Sequence, residues 1–236
     1  MLDLKEEARF AELKKICLEL GVPAPPEVFI GVQVHDKNGV LIFDDVQRGH
    51  SWTRNFYNIL FGRGSDCVGD GTGLFGAGKM SGKNIVGTLY STATTFVSRE
   101  GRDLTRGVAN NTTSISYGIA VGSGDVAFNT EQFALDICIA SGTDSGQLAY
   151  QAMTHPTISY TAGTKTWETT HLRYFNNNSQ AVVTVREVGL YWCGAAFGSL
   201  SYFMLERSLL SPVVDVPVGA QLTVTYKISM DFSAID

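Results

Sequence analysis

Leu222-Thr223-Val224-Thr225-Tyr226-Lys227-Ile228-Ser229-Met230 is the stretch that decides the fold. Its apolar residues occupy every second position, and Thr223, Thr225, Lys227 and Ser229 fill the places between. A period of two puts the apolar side chains on one face of an extended strand and the polar ones on the other. Pro217-Val218-Gly219-Ala220 supplies a turn leading into it.

The same period recurs outward along the chain. Val28, Ile30, Val32 and Val34 alternate with Phe29, Gly31, Gln33 and His35, and Asp36-Lys37-Asn38-Gly39 turns this strand into Val40-Leu41-Ile42-Phe43. Ile115, Tyr117, Ile119 and Val121 form another alternating run, ended by Gly122-Ser123-Gly124-Asp125. Leu148–Tyr150 and Thr157–Tyr160 flank His155-Pro156, and residues 165–175 continue extended after the turn at 161–164. Val183 and Val185 share one phase while Val188, Leu190 and Trp192 share the other, so the pattern slips at Arg186-Glu187 and predicts a β-bulge or bend. Short strands, frequent turns and little helix predict a mainly β protein, an antiparallel β-sandwich of jelly-roll type.

Two helices are expected beside the strands. Phe10, Leu13, Cys17 and Leu20 recur at intervals of three, four and three, a single apolar stripe, with Asp3 as cap and Glu6 and Glu7 near the positive end. Gly21 ends this helix, and Val22-Pro23-Ala24-Pro25-Pro26 follows as a stiff linker. Residues 1–22 therefore read as a helical arm and residues 23–236 as the sandwich domain. The stripe packs either on its own domain or on a neighbouring subunit. Trp52, Phe56, Ile59 and Leu60 fall on one face of a second, shorter helix that plugs the sheet. Residues 62–82 are rich in glycine, and ordering such a loop costs roughly 1–2 kcal/mol per residue before contacts compensate. Leu74 and Phe75 are its apolar candidates for an interface.

Composition narrows the function. The 236 residues are 44% hydrophobic and 17% charged, with a net charge of −5, so no basic field exists to hold nucleic acid. No apolar run reaches the roughly 18 residues of a membrane span, and the acidic start Met1-Leu2-Asp3-Leu4-Lys5-Glu6-Glu7 does not resemble a signal peptide. Cys17, Cys67, Cys138 and Cys193 form no CxxC pair, and Cys138 reads as a buried free thiol of a chain folded in a reducing cytoplasm.

Candidate chemistry is sparse. Gly73-Leu74-Phe75-Gly76-Ala77-Gly78-Lys79-Met80 matches GxxxxGK, but Met80 stands where Ser or Thr would hold magnesium, and no strand leads into it. His35, His50, His155 and His171 are scattered without a nucleophile signature. Asp66, Asp70 and Asp125 lie in glycine-rich turns without the spacing of a calcium loop. No catalytic residue, cofactor or metal is expected. Trp167, Tyr160, Tyr174 and Trp192 are the aromatic candidates for a sugar-binding face, against an ordinary core or interface role.

Four segments carry a resemblance. They are Ser51-Trp52-Thr53-Arg54-Asn55-Phe56-Tyr57-Asn58, Tyr117-Gly118-Ile119-Ala120-Val121-Gly122-Ser123-Gly124, Phe133-Ala134-Leu135 through Gly146-Gln147-Leu148-Ala149-Tyr150, and Val185-Arg186-Glu187-Val188-Gly189-Leu190-Tyr191-Trp192 with the ending Leu209–Ile228. In order and spacing they resemble a group of virion structural proteins of tailed phages and prophages, over most of residues 28–230. The resemblance implies a tail, baseplate, neck or head-surface component, made in the host cytoplasm and built into the virion. It implies partners that are copies of the chain and other virion proteins, and it carries over no catalytic residue. An adhesin or carbohydrate-binding module that meets a host-surface glycan is the alternative. Arg186 and Glu187, at the phase slip, are expected to form a structural ion pair near an interface, with Phe10, Leu13, Cys17 and Leu20 as the arm's contact residues.

Overall fold

The computed structural model describes residues 4–22, 24–49, 51–64, 81–91, 113–154, 156–196 and 199–232. Leu74, Phe75, the GxxxxGK-like stretch, Asp3, Asp66, Asp70, Cys67, His50 and His155 lie outside them. The chain opens with helix α1 (Leu4–Leu20) and then enters strands β1 (Glu27–His35) and β2 (Leu41–Gly49). The Asp36 carboxylate closes the turn between them by accepting from the N–H groups of Asn38 and Val40. Gly39 takes the positive φ that this turn needs. Helix α2 (Arg54–Gly64) follows, then a small ribbon of β3 (Ser81–Lys83) and β4 (Leu89–Ser91). The remaining strands are β5 (Gly118–Gly122), β6 (Ala149–Tyr150), β7 (Thr157–Thr161), β8 (Thr166–Asn176), β9 (Val183–Ala196), β10 (Ser199–Val216) and β11 (Gln221–Asp231).

Two antiparallel sheets make a sandwich. The larger has the order β2-β1-β11-β8-β6, with β7 also paired to β8, and the smaller has the order β10-β9-β5. The strand that decided the reading, β11, sits inside the larger sheet, paired with β1 from Ser229 opposite Glu27 to Gln221 opposite His35. Its alternation is that of a strand whose neighbours are both filled and whose two faces differ. Val28, Ile30, Val32 and Val34 of β1 with Leu222, Val224 and Tyr226 of β11 are fully or almost fully buried, and so are Val188, Leu190 and Trp192 of β9. Each such side chain contributes about 1.5–3 kcal/mol on leaving water.

The slip read at Arg186-Glu187 coincides with a break in the pairing of β9 with β10. Leu209 faces Glu187 and Val214 faces Val185, so the register breaks between them and Leu210–Val213 lie opposite Arg186. The sequence pattern did not mark β10 as one long strand. Phe203 through Ser208 are all buried, so both faces of this strand are covered and the period of two vanishes. The alternating run at 115–121 also shortens, since the strand begins only at Gly118.

Polar side chains close the sandwich at its flanks. On one flank Gln47 of β2 donates to the Leu209 carbonyl and accepts from the Ser211 N–H in the irregular part of β10. On the other, the fully buried Arg173 of β8 donates to the carbonyls of Ile119 (2.8 Å), Tyr117 (3.3 Å), Ser114 (2.7 Å) and Gln151 (2.8 Å), and lies 4.9 Å from the Tyr150 ring centroid. Burial lowers its pKa to about 10, which leaves it charged at neutral pH. Arg173→Met keeps the length and strands four carbonyls. It should lower the unfolding free energy by about 3–5 kcal/mol, measured as a fall in the urea midpoint. A loss under 1 kcal/mol would mean the guanidinium does not hold β5 to β8.

Candidate functional site

The N-terminal stripe divides. Cys17 is buried and Phe10 half-buried, whereas Leu13 is exposed and Leu20 is 70% exposed. A cation holds α1 to its own sheet. Arg48 of β2 lies 4.1 Å from the Phe10 ring centroid and 4.6 Å from that of Phe29, and donates to Glu7 (2.9 and 2.8 Å) and Glu27 (2.6 Å). Lys14 adds an ion pair to Glu27. The hydrogen bonds from Arg48 hold the Glu7 carboxyl below its ordinary pKa. Of the two placements open to the stripe, the structure has the helix against its own domain, with Leu13 and Leu20 turned outward.

Arg186 and Glu187 do not pair with each other. They are neighbours on a strand and point to opposite faces; Arg186 is exposed and Glu187 is completely buried. The partner of Glu187 is Arg207 of β10, whose Nε donates to Glu187 Oε2 at 2.6 Å. Glu187 also accepts from the N–H groups of Gly124, Asp136 and Ile137. Arg207 Nη1 donates to Val126 O and Gln132 Oε1, while its Nη2 finds no partner among the described residues. Together they fasten the coil after β5 onto the smaller sheet. A Cβ at Gly122 would come within 2.7 Å of the Ile137 carbonyl oxygen, and one at Gly124 within 2.7 Å of Glu187 Oε1, so glycine is needed at both for this close approach.

A second acidic residue crosses between the sheets. Glu206 of β10 is fully buried, accepts from Tyr226 Oη of β11 at 2.7 Å, and accepts from the Ser208 hydroxyl. Burial pushes its pKa up to about 7 despite these donors and the nearby Arg207. His171 of β8 lies directly across the strand pair from Tyr226. It is 1% exposed, its Nδ1 has no hydrogen-bond partner among the described residues, and burial lowers its pKa to about 4.

Beside this array the end of the sandwich opens into an apolar cleft of about 390 Å³. Trp52 and Phe56 form one wall, stacked with ring centroids 3.8 Å apart. Thr53 fixes that wall to β10, donating its hydroxyl to Met204 O and its N–H to Leu205 O. Leu190 and Leu205 come from the smaller sheet; Trp167, Thr169 and His171 come from β8, Ile158 from β7, and Ile228 and Met230 from β11. Cross-strand register brings Ile158 opposite Thr169, Tyr160 opposite Trp167, and Met230 opposite Trp167, so these residues share one face. Tyr160 and Trp167, both 49% exposed, meet at 4.9 Å on the rim.

The aromatic set expected on one face is therefore split. Trp192 is buried against Phe203, and Tyr174 lies on the opposite face of β8 from Trp167. Cys138, expected in the core, is exposed, because the 123–139 segment is coil lying over the smaller sheet and not a core strand. His35 is half-buried at the end of β1 and Asp125 is exposed. Among the described residues no group of three or more His, Cys, Asp or Glu side chains could hold a metal ion. No described helix is long and apolar enough to cross a membrane. Sequence reasoning named His171 only as one of four scattered histidines and did not single out Glu206 or Arg207; the signal for the last two was a charged pair inside an otherwise apolar run, Phe203-Met204-Leu205-Glu206-Arg207. No protein-family model, curated protein or solved structure matches this chain.

The two buried titratable groups pull stability in opposite directions with pH. Glu206 has a folded pKa above its ordinary 4.5, so its contribution is complete below pH 4.5 and is lost as pH rises toward 7. His171 has a folded pKa below its ordinary 6.5, so its contribution is complete above 6.5 and is lost as pH falls toward 4. Glu206→Gln removes the first slope alone. The unfolding free energy of the variant minus that of the wild type should rise by up to about 3 kcal/mol between pH 4.5 and 7, read by urea titration at each pH. A difference that stays flat or falls over that window would mean Glu206 keeps an ordinary pKa.

Proposed function

We propose that this chain is a structural component of a tailed-phage virion, assembling by protein–protein contacts with copies of itself and with other virion proteins. The observation that carries the assembly reading is the outer edge of the larger sheet at β2, which pairs along its length with no described strand other than β1. Strand β2 is its end strand, and Leu41, Ile42 and Val46 on it are 46%, 50% and 41% exposed. Val40 and Val218 extend the apolar surface across the adjoining turns. A nine-residue edge with apolar side chains is a template for pairing with another chain. The class of assembly comes from the four segments that resemble phage virion proteins, and a tail, baseplate, neck or head-surface position fits them equally. The protein would be made in the host cytoplasm and end in the particle.

Light scattering on residues 1–236 should give a defined homo-oligomer. Ile42→Lys, at an exposed edge position, should shift it toward monomer by at least tenfold in dissociation constant with its melting temperature unchanged. Removing residues 1–22 tests the arm separately: because Arg48 holds α1 on its own sheet, the oligomer should survive the truncation with reduced stability. A chain that remains monomeric at several hundred micromolar removes self-assembly from the proposal.

The alternative reading, a tip adhesin or carbohydrate-binding module, is favoured by one observation, the exposed Tyr160–Trp167 pair on the cleft rim. Ring faces of this kind stack on the apolar faces of sugars. Under that reading a glycan array gives discrete binders, and Trp167→Ala lowers their affinity by about tenfold or more. An array without binders leaves the assembly reading alone.

A further inference from the structure

We infer that α1 packs against α1 of a second copy as an antiparallel helix pair, through the side it turns away from its own sheet. The inference rests on the self-assembly proposed above and adds a second contact to the one at β2. Glu7, Phe10 and Lys14 face the domain, where Arg48 and Glu27 hold them, and Cys17 is buried on the same side. Leu13, Ile16 and Leu20 follow one another at intervals of three and four on a different side, and are 38%, 44% and 70% exposed. That spacing is the seam of a helix pair. Because the contacts with Arg48 already fix α1, the seam is presented on a held helix and pairing orders no new backbone.

Charge selects the partner and the direction. Beside the stripe the exposed residues are basic in the first half of the helix, Lys5 and Arg9, and acidic in the second, Glu12 and Glu19. Two copies laid parallel would set Arg9 beside Arg9 and Glu19 beside Glu19. Laid antiparallel about a point between Lys14 and Lys15, Leu13 of each copy comes level with Ile16 of the other, and Arg9 of each reaches the turn that holds Glu19 of the other. Two Arg9–Glu19 pairs form, so the surface is complementary to itself, as a two-fold contact requires. The last turn of α1 contains no basic residue, and the basic half of the second copy would lie over that negative end of the helix dipole. A 17-residue helix is about 26 Å long, and one such pair covers less than the roughly 1,200 Å² of a stable interface. The helix pair therefore reinforces an oligomer that also uses β2, and does not make one alone.

Sedimentation equilibrium on the full chain tests this by charge reversal. Arg9→Glu and Glu19→Arg should each weaken self-association by about tenfold, because two attractive pairs become two repulsive ones. The double variant restores opposite charges and should recover the wild-type constant. Ile16→Lys should weaken association by about tenfold or more. All four variants should keep the wild-type melting temperature, since the three positions are exposed. Wild type that self-associates but ignores Ile16→Lys, or a double variant that stays as weak as the single ones, overturns the helix pair and leaves the assembly proposal standing. A chain that remains monomeric at several hundred micromolar overturns both.

Discussion

The Glu187–Arg207 ion pair is the constraint on which the smaller sheet depends. Both partners are completely buried, and Glu187 gathers three backbone N–H groups of the coil between Gly124 and Ile137. A pair of this kind contributes little net stability, because desolvating two charges cancels most of their attraction. Its effect is positional. Three strands cannot bury both of their faces without a second cover, and this coil, fastened by Glu187, Arg207 and the Tyr191 hydroxyl that accepts from the Leu135 N–H, is that cover. The larger sheet covers the other face. Removing Glu187 alone would leave the buried Arg207 charge and three backbone donors without a counterpart, at a cost of about 3–5 kcal/mol.

That arrangement decides which parts of the fold were legible in the sequence. Strands β1 and β11 each have one dry and one wetter face, so Val28–Val34 and Leu222–Met230 alternate and their extent could be read directly. Strands with two covered faces lose the alternation. Phe203–Ser208 reads as a mixed apolar and charged run, and nothing in its spacing says that Glu206 and Arg207 will be buried on opposite faces. The slip at Arg186-Glu187 was visible, because Val185 and Val188 both had to be apolar. The partner of Glu187 was not, since Arg207 lies 20 residues away on the next strand. The coil 123–139 was unreadable for the same reason: hydrogen bonds to distant side chains fix its path, and it has no period of its own.

The polar residues inside the sandwich are not scattered. Arg173 spans the flank from β8 to β5, Glu206 joins β10 to Tyr226 of β11, and His171 lies on β8 opposite Tyr226. Arg173 and Glu206 are extensively hydrogen-bonded; His171 Nδ1 is not. Arg173 donates to four carbonyls from two stretches, residues 114–119 and Gln151, whereas the buried Arg207 leaves its Nη2 without a partner among the described residues. His171 Nδ1 and Arg207 Nη2 are thus the two buried side-chain atoms left without a partner among the described residues, and both are enclosed by the core.

The two ends of the β2–β1–β11–β8 layer consequently differ in chemistry. At the end marked by Val40, Leu41 and Val218 apolar residues are exposed in turns and on β2, whose outer edge pairs with no described strand. At the other end Trp52, Phe56 and Trp167 line the apolar cleft. β2 and β7 sit on opposite edges of the same sheet, separated by β1, β11 and β8, so the apolar edge at Ile42 and the cleft rim at Ile158 are different surfaces.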